Sequence, residues 1–99
     1  MAVHTAELQL PTDDPAADGH FPGNPIVPGA VLLREIARAL SVAGTSICYE
    51  IPSARFLHPV RPGDRLTIIW ETKLSGEIGF TGAVGSRRVL TGSMRMRAR

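Results

Sequence analysis

The sequence contains little that would support a disulfide, a metal centre or a membrane span. It has one cysteine, Cys48, so no internal disulfide can form, and its cysteine and histidines do not have the spacing of zinc ligands. No apolar run approaches the roughly 18 residues that a membrane-spanning helix requires. Cys48 is interpreted as a small packed residue rather than a nucleophile. We therefore expect a protein with no metal and no other cofactor.

Aromatic residues are also scarce, and their positions argue against a nucleic-acid-binding protein. One Trp, one Tyr and three Phe occur among 99 residues, and they are not interleaved with the basic residues.

The first residues, MAVHTAELQLPTDD, have no basic start and no long apolar centre. This pattern is not that of a signal peptide, so we expect a cytoplasmic protein.

Positive charge is concentrated near the end of the chain although the net charge is only +2. The residues concerned are Arg87, Arg88, Arg95, Arg97 and Arg99. Such a stripe is compatible with two interpretations, a surface for an acidic partner and a solvated edge strand protected by charge. The sequence does not distinguish between them.

The length of the chain, 99 residues, predicts a single domain spanning residues 1–99. This size is near the lower end of what buries an adequate hydrophobic core unaided. Burial against a second copy would add to the core, so we expect an oligomer.

A rigid loop precedes the main helix. Residues 19–29 read GHFPGNPIVPG and include three prolines and three glycines. Proline fixes its own φ and restricts the residue before it, so the loop has little conformational freedom. Its only titratable side chain is His20, and an imidazole can take and return a proton near neutral pH. The loop ends at Gly29, where unpaired N–H groups of a helix start would attract an anion. An alternative role for His20 is a hydrogen bond that holds the turn.

One amphipathic helix and several strands account for the remaining pattern. Apolar residues at helical spacing predict a helix over Ala30–Ala43, ended by Gly44, with Arg34, Glu35 and Arg38 on one polar arc. Alternating patterns predict strands over Val3–Leu10, Ile47–Phe56, Arg65–Leu74, Ile78–Val84 and from Leu90 onward. Pro52 implies an edge position or a bulge in the second strand. The predicted fold class is α+β, with one helix between a first strand and four antiparallel strands.

The segment HPVRPGD, residues 58–64, has the composition of a turn. We interpret it as a rigid corner between two strands, in which Asp64 braces the backbone. His58 could act as a base in isolation, but the sequence places no other site residue around it. It is therefore assigned to the corner.

Two of these motifs carry a resemblance to a known family. The run GHFPGNPIVPG before a Leu-rich helix, followed later by ARFLHPVRPGD, resembles the FabA/FabZ-type β-hydroxyacyl-acyl-carrier-protein dehydratases. The resemblance implies the hot-dog fold, in which an antiparallel sheet wraps around one central helix. The resemblance implies dehydration of a β-hydroxyacyl thioester in fatty-acid or polyene-type synthesis. It also implies an acyl carrier protein as partner, and a homodimer or a mixed hot-dog dimer as the assembly.

The resemblance assigns roles to several residues of this chain. His20 would be the base that removes the Cα proton, and the backbone N–H of Gly29 would hold the thioester oxygen. Phe21 and Val27 would line the acyl groove. In the family the acid is an Asp or Glu on the central helix, fourteen positions after the histidine, and it reaches the other protomer's histidine across a dimer interface. Here that position is Arg34, and the carboxylate is one residue later, at Glu35.

This departure leaves several readings open. One residue rotates a helical side chain by about 100°, and an arginine cannot act as an acid at neutral pH. Glu35 could replace the acid through a register change, giving an active dehydratase. Alternatively, Arg34 could leave a thioester-binding subunit that pairs with an active hot-dog partner, or bind a carboxylate or phosphate in a thioesterase or hydratase. The simplest alternative is that Arg34 and Glu35 only solvate the helix edge.

Overall fold

The computed structural model describes residues 3–10, 26–43 and 46–98. Its elements in chain order are β1 (Val3–Gln9), α1 (Gly29–Ala43), β2 (Ser46–Phe56), β3 (Arg65–Thr72), β4 (Ile78–Val84) and β5 (Arg87–Ala98). The predicted α+β class and the order of the elements are confirmed.

The strands form one antiparallel sheet with the order β1-β3-β4-β5-β2. The helix lies on one face of this sheet and buries its apolar side there, as the helical spacing predicted. From the helix, Leu32, Ile36 and Leu40 enter the core, and the sheet contributes Leu66, Ile68, Phe80, Leu90 and Met94. Helix burial against the sheet therefore produces the main hydrophobic core.

β2 is an edge strand within the described sheet, and its pairing with β5 is irregular. The register shifts between Cys48 and Glu50 and again between Glu50 and Ser53, the interval that contains Pro52. Proline has no N–H to donate to a ladder, which explains both the edge position and the local irregularity. Both features that Pro52 implied are present.

Some predicted boundaries and faces differ from the observed ones. The helix begins at Gly29 rather than Ala30, and β5 begins at Arg87 rather than Leu90. A register shift after Gly82, where β4 pairs with β5, breaks the expected alternation. As a result Val89 and Leu90 are both buried, although alternation would place only one of them in the core.

The described residues also bear on two other expectations. Within residues 3–10, 26–43 and 46–98, no helix is long and apolar enough to cross a membrane. In the same part of the chain, no group of three or more His, Cys, Asp or Glu side chains could hold a metal ion. The predicted helix end at Gly44 lies outside the described residues.

Candidate active site at the start of the helix

The first turn of α1 has two backbone donors without a backbone acceptor among the described residues. The N–H groups of Val31 and Leu32 both donate to the Pro28 carbonyl, at 3.0 and 3.1 Å. Among the described residues, the N–H groups of Gly29 and Ala30 have no backbone acceptor. Unpaired N–H groups at a helix start carry partial positive charge and favour an anion. The oxyanion role predicted for Gly29 stays a prediction.

A groove of about 440 Å³ lies against this helix start. We call it the N-terminal groove, and it is lined by Ile26, Val27, Pro28, Gly29, Leu32, Phe56, Leu57, His58, Pro59 and Val60. Most of these side chains are apolar, which suits an acyl chain. Two of the predicted site residues, Val27 and Gly29, line the groove. The other two predicted on the loop, His20 and Phe21, lie outside the described residues.

One wall of the N-terminal groove is formed by residues 56–60, from the last residue of β2 onward, and this segment is fixed at both ends. At one end the ring of Phe56 lies against Gly29, so closely that a Cβ on Gly29 would be 2.7 Å from its Cζ. At the other end the N–H of Val27 donates to the Val60 carbonyl at 2.7 Å. The segment is thus held across the helix start.

His58 lies in the middle of this wall. Its backbone N–H donates to the Val89 carbonyl at 3.4 Å, and the N–H of Leu57 donates to the same carbonyl at 2.8 Å. Sequence reasoning assigned His58 to a corner and missed its place in the groove. Contacts between residues far apart in the chain, such as the hydrogen bond of Val27 to Val60, bring it there, and no local pattern signals them.

The corner itself matches its prediction. The Oδ2 of Asp64 accepts the Arg61 N–H at 2.9 Å, and the Asp64 N–H donates to the Arg61 carbonyl at 3.1 Å. Gly63 has a φ of 86°, a value that favours glycine. The bracing role predicted for Asp64 is confirmed.

Arg34 lines a second groove, of about 510 Å³, between the helix and the edge strand. We call it the α1/β2 groove, and it is lined by Ala30, Leu33, Arg34, Ala37, Cys48, Tyr49, Glu50 and Ile51. The helical members recur at intervals of three and four residues, so they share one face of α1. The position where the resembling family has its acid therefore faces the edge strand of this subunit.

Glu35 lines neither of these two grooves. Its Oε1 accepts from Arg34 Nε at 3.3 Å and Nη2 at 3.1 Å, and its Oε2 lies 3.7 Å from Arg38 Nη1. The side chain of Glu35 is only 16% exposed, whereas those of the two arginines are 48% and 65% exposed. The predicted polar arc is thus an ion-paired cluster around one carboxylate. The catalytic role of Glu35 stays a prediction.

Cys48 lies in the α1/β2 groove and is partly buried. Burial raises the pKa of its thiol, an effect that its hydrogen bond to the Glu50 carbonyl opposes. A raised pKa reduces the thiolate fraction at neutral pH, which fits a packed residue better than a nucleophile.

Comparison with known proteins identifies the family. A family model described as ApeI-like, ApeI dehydratase, matches residues 2–92. The chain belongs to the ApeI-like dehydratase family.

Curated relatives carry related names. The chain is 35% identical over 89 residues to the 3-hydroxyacyl-[acyl-carrier-protein] dehydratase FabZ of Mannheimia succiniciproducens, covering 78% of this chain and 59% of that protein. It is 34% identical over 104 residues to the FabZ of Chlamydia trachomatis, covering 90% and 68%. The chain thus spans about three fifths of the Mannheimia protein.

Solved structures show the same fold. The dehydratase heterocomplex ApeI:P from Xenorhabdus doucetiae includes a chain with a TM-score of 0.77 and 19% identity, covering 98% of this chain and 88% of that one. The fluoroacetyl-CoA thioesterase FlK has a TM-score of 0.67 and 15% identity, covering 98% and 84%. These likenesses, together with the five-stranded sheet and the one helix of the described residues, confirm the predicted hot-dog fold.

Proposed function

We propose that this chain takes part in the dehydration of β-hydroxyacyl thioesters on an acyl carrier protein, giving trans-2-enoyl thioesters. Family membership and the names of the FabZ relatives support this proposal. The observation on which it rests is that Gly29, the first residue of α1, lines a largely apolar groove. That combination can hold a thioester oxygen and an acyl chain together.

The reaction requires three groups. A base removes the Cα proton, a donor stabilises the negative charge that develops on the thioester oxygen, and an acid helps the β-hydroxyl to leave. The motif around His20 supports that residue as the base, and the N–H of Gly29 is the proposed oxyanion donor. A donor of this kind contributes about 2.7–4 kcal/mol to transition-state stabilisation. Val27 and Phe21 would contact the acyl chain.

We propose Glu35 as the acid, acting in the active site of a paired subunit. Because it lines neither groove within one chain, its role depends on the assembly. We propose that the assembly is a homodimer or a mixed hot-dog dimer, and that the protein acts in the cytoplasm in fatty-acid or polyene-type synthesis.

A second function is favoured by the position of Arg34. An arginine lines the α1/β2 groove at the helix position where the resembling family has its acid. If that groove is completed by a partner, this chain would bind the thioester while an active hot-dog subunit performs the chemistry. The Xenorhabdus protein is named as a dehydratase heterocomplex, which is compatible with such an arrangement.

The test is turnover of a short β-hydroxyacyl thioester by the purified full chain, measured with His20→Ala and with His4→Ala as a matched control. His4 stacks on Trp70 at the edge of the sheet, with ring centroids 5.5 Å apart. Activity that is lost with His20→Ala and kept with His4→Ala would support the dehydratase. A folded wild-type chain with no activity alone, but activity with a sister hot-dog subunit, would support the second function.

A further inference from the structure

The arginines near the end of the chain do not form one surface. Arg87 and Arg88 begin β5, whereas Arg95 and Arg97 lie near its other end, about 25–30 Å away at the usual rise of a strand. Arg99 lies outside the described residues. The stripe predicted from the sequence is therefore two separate groups.

The group near the end of β5 is engaged with the edge strand and a turn. Nη1 of Arg95 lies 2.9 Å from Oε2 of Glu50, and its Nε lies 3.4 Å from Oε2 of Glu77. The guanidinium of Arg97 lies over the ring of Tyr49, 5.7 Å from its centroid. Both arginines thus have contacts within the chain that a partner would have to replace.

Arg87, in the other group, lines a groove of about 310 Å³ together with Arg61 of the corner after β2. We call it the Arg61/Arg87 groove, and its lining residues are Pro59, Arg61, Asp64, Val84, Ser86, Arg87 and Val89. Both arginines are exposed, and in the part of the chain that the structure describes neither forms an ion pair. Asp64, the carboxylate in this lining, accepts the backbone N–H of Arg61 at 2.9 Å.

Charge around the Arg61/Arg87 groove has one dominant sign. Residues 55–64 and 83–91 meet at this end of the sheet, where Arg55 pairs with Thr91 and the N–H of Leu57 donates to the Val89 carbonyl. These two segments contain four arginines and one carboxylate, a net charge of +3, whereas residues 46–50, 71–79 and 93–98 at the opposite end contain three charges of each sign. An acidic partner is therefore attracted to the end that holds the groove.

The Arg61/Arg87 groove adjoins the N-terminal groove. Pro59 lines both of them, and the Val89 carbonyl that holds residues 57 and 58 belongs to a lining residue of the Arg61/Arg87 groove. The arginines thus lie beside the groove in which the acyl chain is proposed to bind. A macromolecule bound at the arginines is next to the opening of that groove.

We propose that the Arg61/Arg87 groove, with the flanking Arg55 and Arg88, is the docking surface for the acidic face of an acyl carrier protein. This inference rests on the proposed dehydration of carrier-linked thioesters. Acidic side chains of the carrier supply counter-ions to the exposed arginines, and the shared Pro59 brings the carrier beside the groove that contains Gly29. Contacts of this kind set the rate of encounter and its salt dependence.

The experiment measures binding of an apo acyl carrier protein, which has no phosphopantetheine arm, to the full chain by fluorescence anisotropy at low salt. Arg61→Glu and Arg87→Glu should each weaken binding about three- to tenfold, because an exposed ion pair is lost and a like-charge contact replaces it. Lys73→Glu makes the same change of charge in the exposed turn between β3 and β4, at the opposite end of the sheet. It should alter the affinity by less than about twofold.

Three results would overturn the docking surface. The first is equal weakening by Lys73→Glu, which would show an effect of net charge. The second is weaker binding of phosphopantetheine alone with unchanged carrier affinity, which would make the groove a phosphate site. The third is a lower melting temperature with unchanged affinity, which would indicate that the arginines pair within the chain, where Asp13, Asp14 and Asp18 are available. Arg61→Gln, which removes the charge without reversing it, should give a smaller loss of affinity with wild-type circular dichroism.

Turnover of the 3-hydroxybutyryl N-acetylcysteamine thioester separates docking from chemistry, because this substrate has no carrier. Its rate should be the same in Arg61→Glu, Arg87→Glu and the wild-type chain. A wild-type chain that dehydrates this thioester but does not bind the carrier would overturn the docking surface and leave the dehydration intact. A chain that binds the carrier through these arginines, but dehydrates no thioester alone or with a sister hot-dog subunit, would overturn the dehydration and leave the docking surface intact.

Discussion

The ring of Phe56 lies directly against the Cα of Gly29, so that residue 29 has no room for a side chain while the ring keeps its place. A Cβ there would be 2.7 to 3.1 Å from three atoms of the ring. Real Cβ atoms rarely approach this closely, because the van der Waals repulsion is steep. The glycine at the start of α1 therefore has a packing role as well as its proposed role as oxyanion donor.

We expect Gly29→Ala to displace the Phe56 ring from the wall of the N-terminal groove. The Phe56 side chain is half exposed, at 48%, so it can rotate into solvent and limit the loss of stability to about 1 kcal/mol. The groove would lose one wall, so KM for an acyl thioester should rise more than kcat falls. Steady-state kinetics and thermal denaturation measure the two effects.

The matched control for this prediction is a double-mutant cycle with Phe56→Ala. If the two residues act through the same contact, Gly29→Ala should have little further effect in the Phe56→Ala background. Additive effects on KM would contradict the contact as the cause. They would point instead to the altered N–H at the helix start.

The Arg34 and Glu35 pair yields the second prediction. If Arg34 has disabled an acid position in this subunit, Arg34→Glu should raise dehydration of a β-hydroxyacyl thioester above the wild-type rate. Positioned acids typically contribute about 10²–10⁴-fold. Conversely, if Glu35 is the acid, Glu35→Gln should abolish turnover without unfolding the protein. Turnover assays on both variants, with circular dichroism, distinguish the two cases.

A control for charge accompanies this comparison. Arg38→Glu makes the same change of charge in the same cluster. Arg38 lies one turn further along α1, and its Nη1 is 3.7 Å from Oε2 of Glu35. An increase in rate with Arg34→Glu and none with Arg38→Glu would tie the effect to the position. Equal increases would show that the net charge of the helix is responsible.

The third prediction concerns the edge strand that precedes the groove wall. A Cβ on Gly92 of β5 would overlap the backbone carbonyl oxygen of Ser53 in β2 and would be 2.9 Å from Cζ of Phe80. Backbone atoms cannot rotate away, so Gly92→Ala should force the two strands apart and lower the free energy of unfolding by about 1–3 kcal/mol. Chemical denaturation measures this loss.

Gly79→Ala provides the matched control for Gly92→Ala. It lies on the neighbouring strand β4, and the nearest atom to its Cβ would be Cε of Lys73, at 3.1 Å. That atom is near the end of a flexible side chain and can move aside. We expect a change within about 0.5 kcal/mol. A loss equal to that of Gly92→Ala would show that the clash with Ser53 is not the cause.

The sequence was most informative where structure is set locally. The spacing of Leu32, Ile36 and Leu40 predicted the buried face of α1, and Pro52 predicted the irregular edge strand. The position of His58 could not be predicted, because it depends on a hydrogen bond between Val27 and Val60, which are far apart in the chain. Likewise, a single-chain pattern does not define the surface that would complete the α1/β2 groove around Arg34.

The last prediction uses Cys48 to probe that groove. Because burial raises the pKa of its thiol above the ordinary value of 9.0, less thiolate is present at any given pH than for an exposed cysteine. Alkylation by iodoacetamide at pH 8 should therefore be slower in the folded chain than in urea. Its rate should also rise at a higher pH, as mass spectrometry across a pH series would measure.

If a second subunit covers the α1/β2 groove, alkylation should slow further as protein concentration increases. Equal rates in folded and unfolded protein would contradict both the packed thiol and a covered groove.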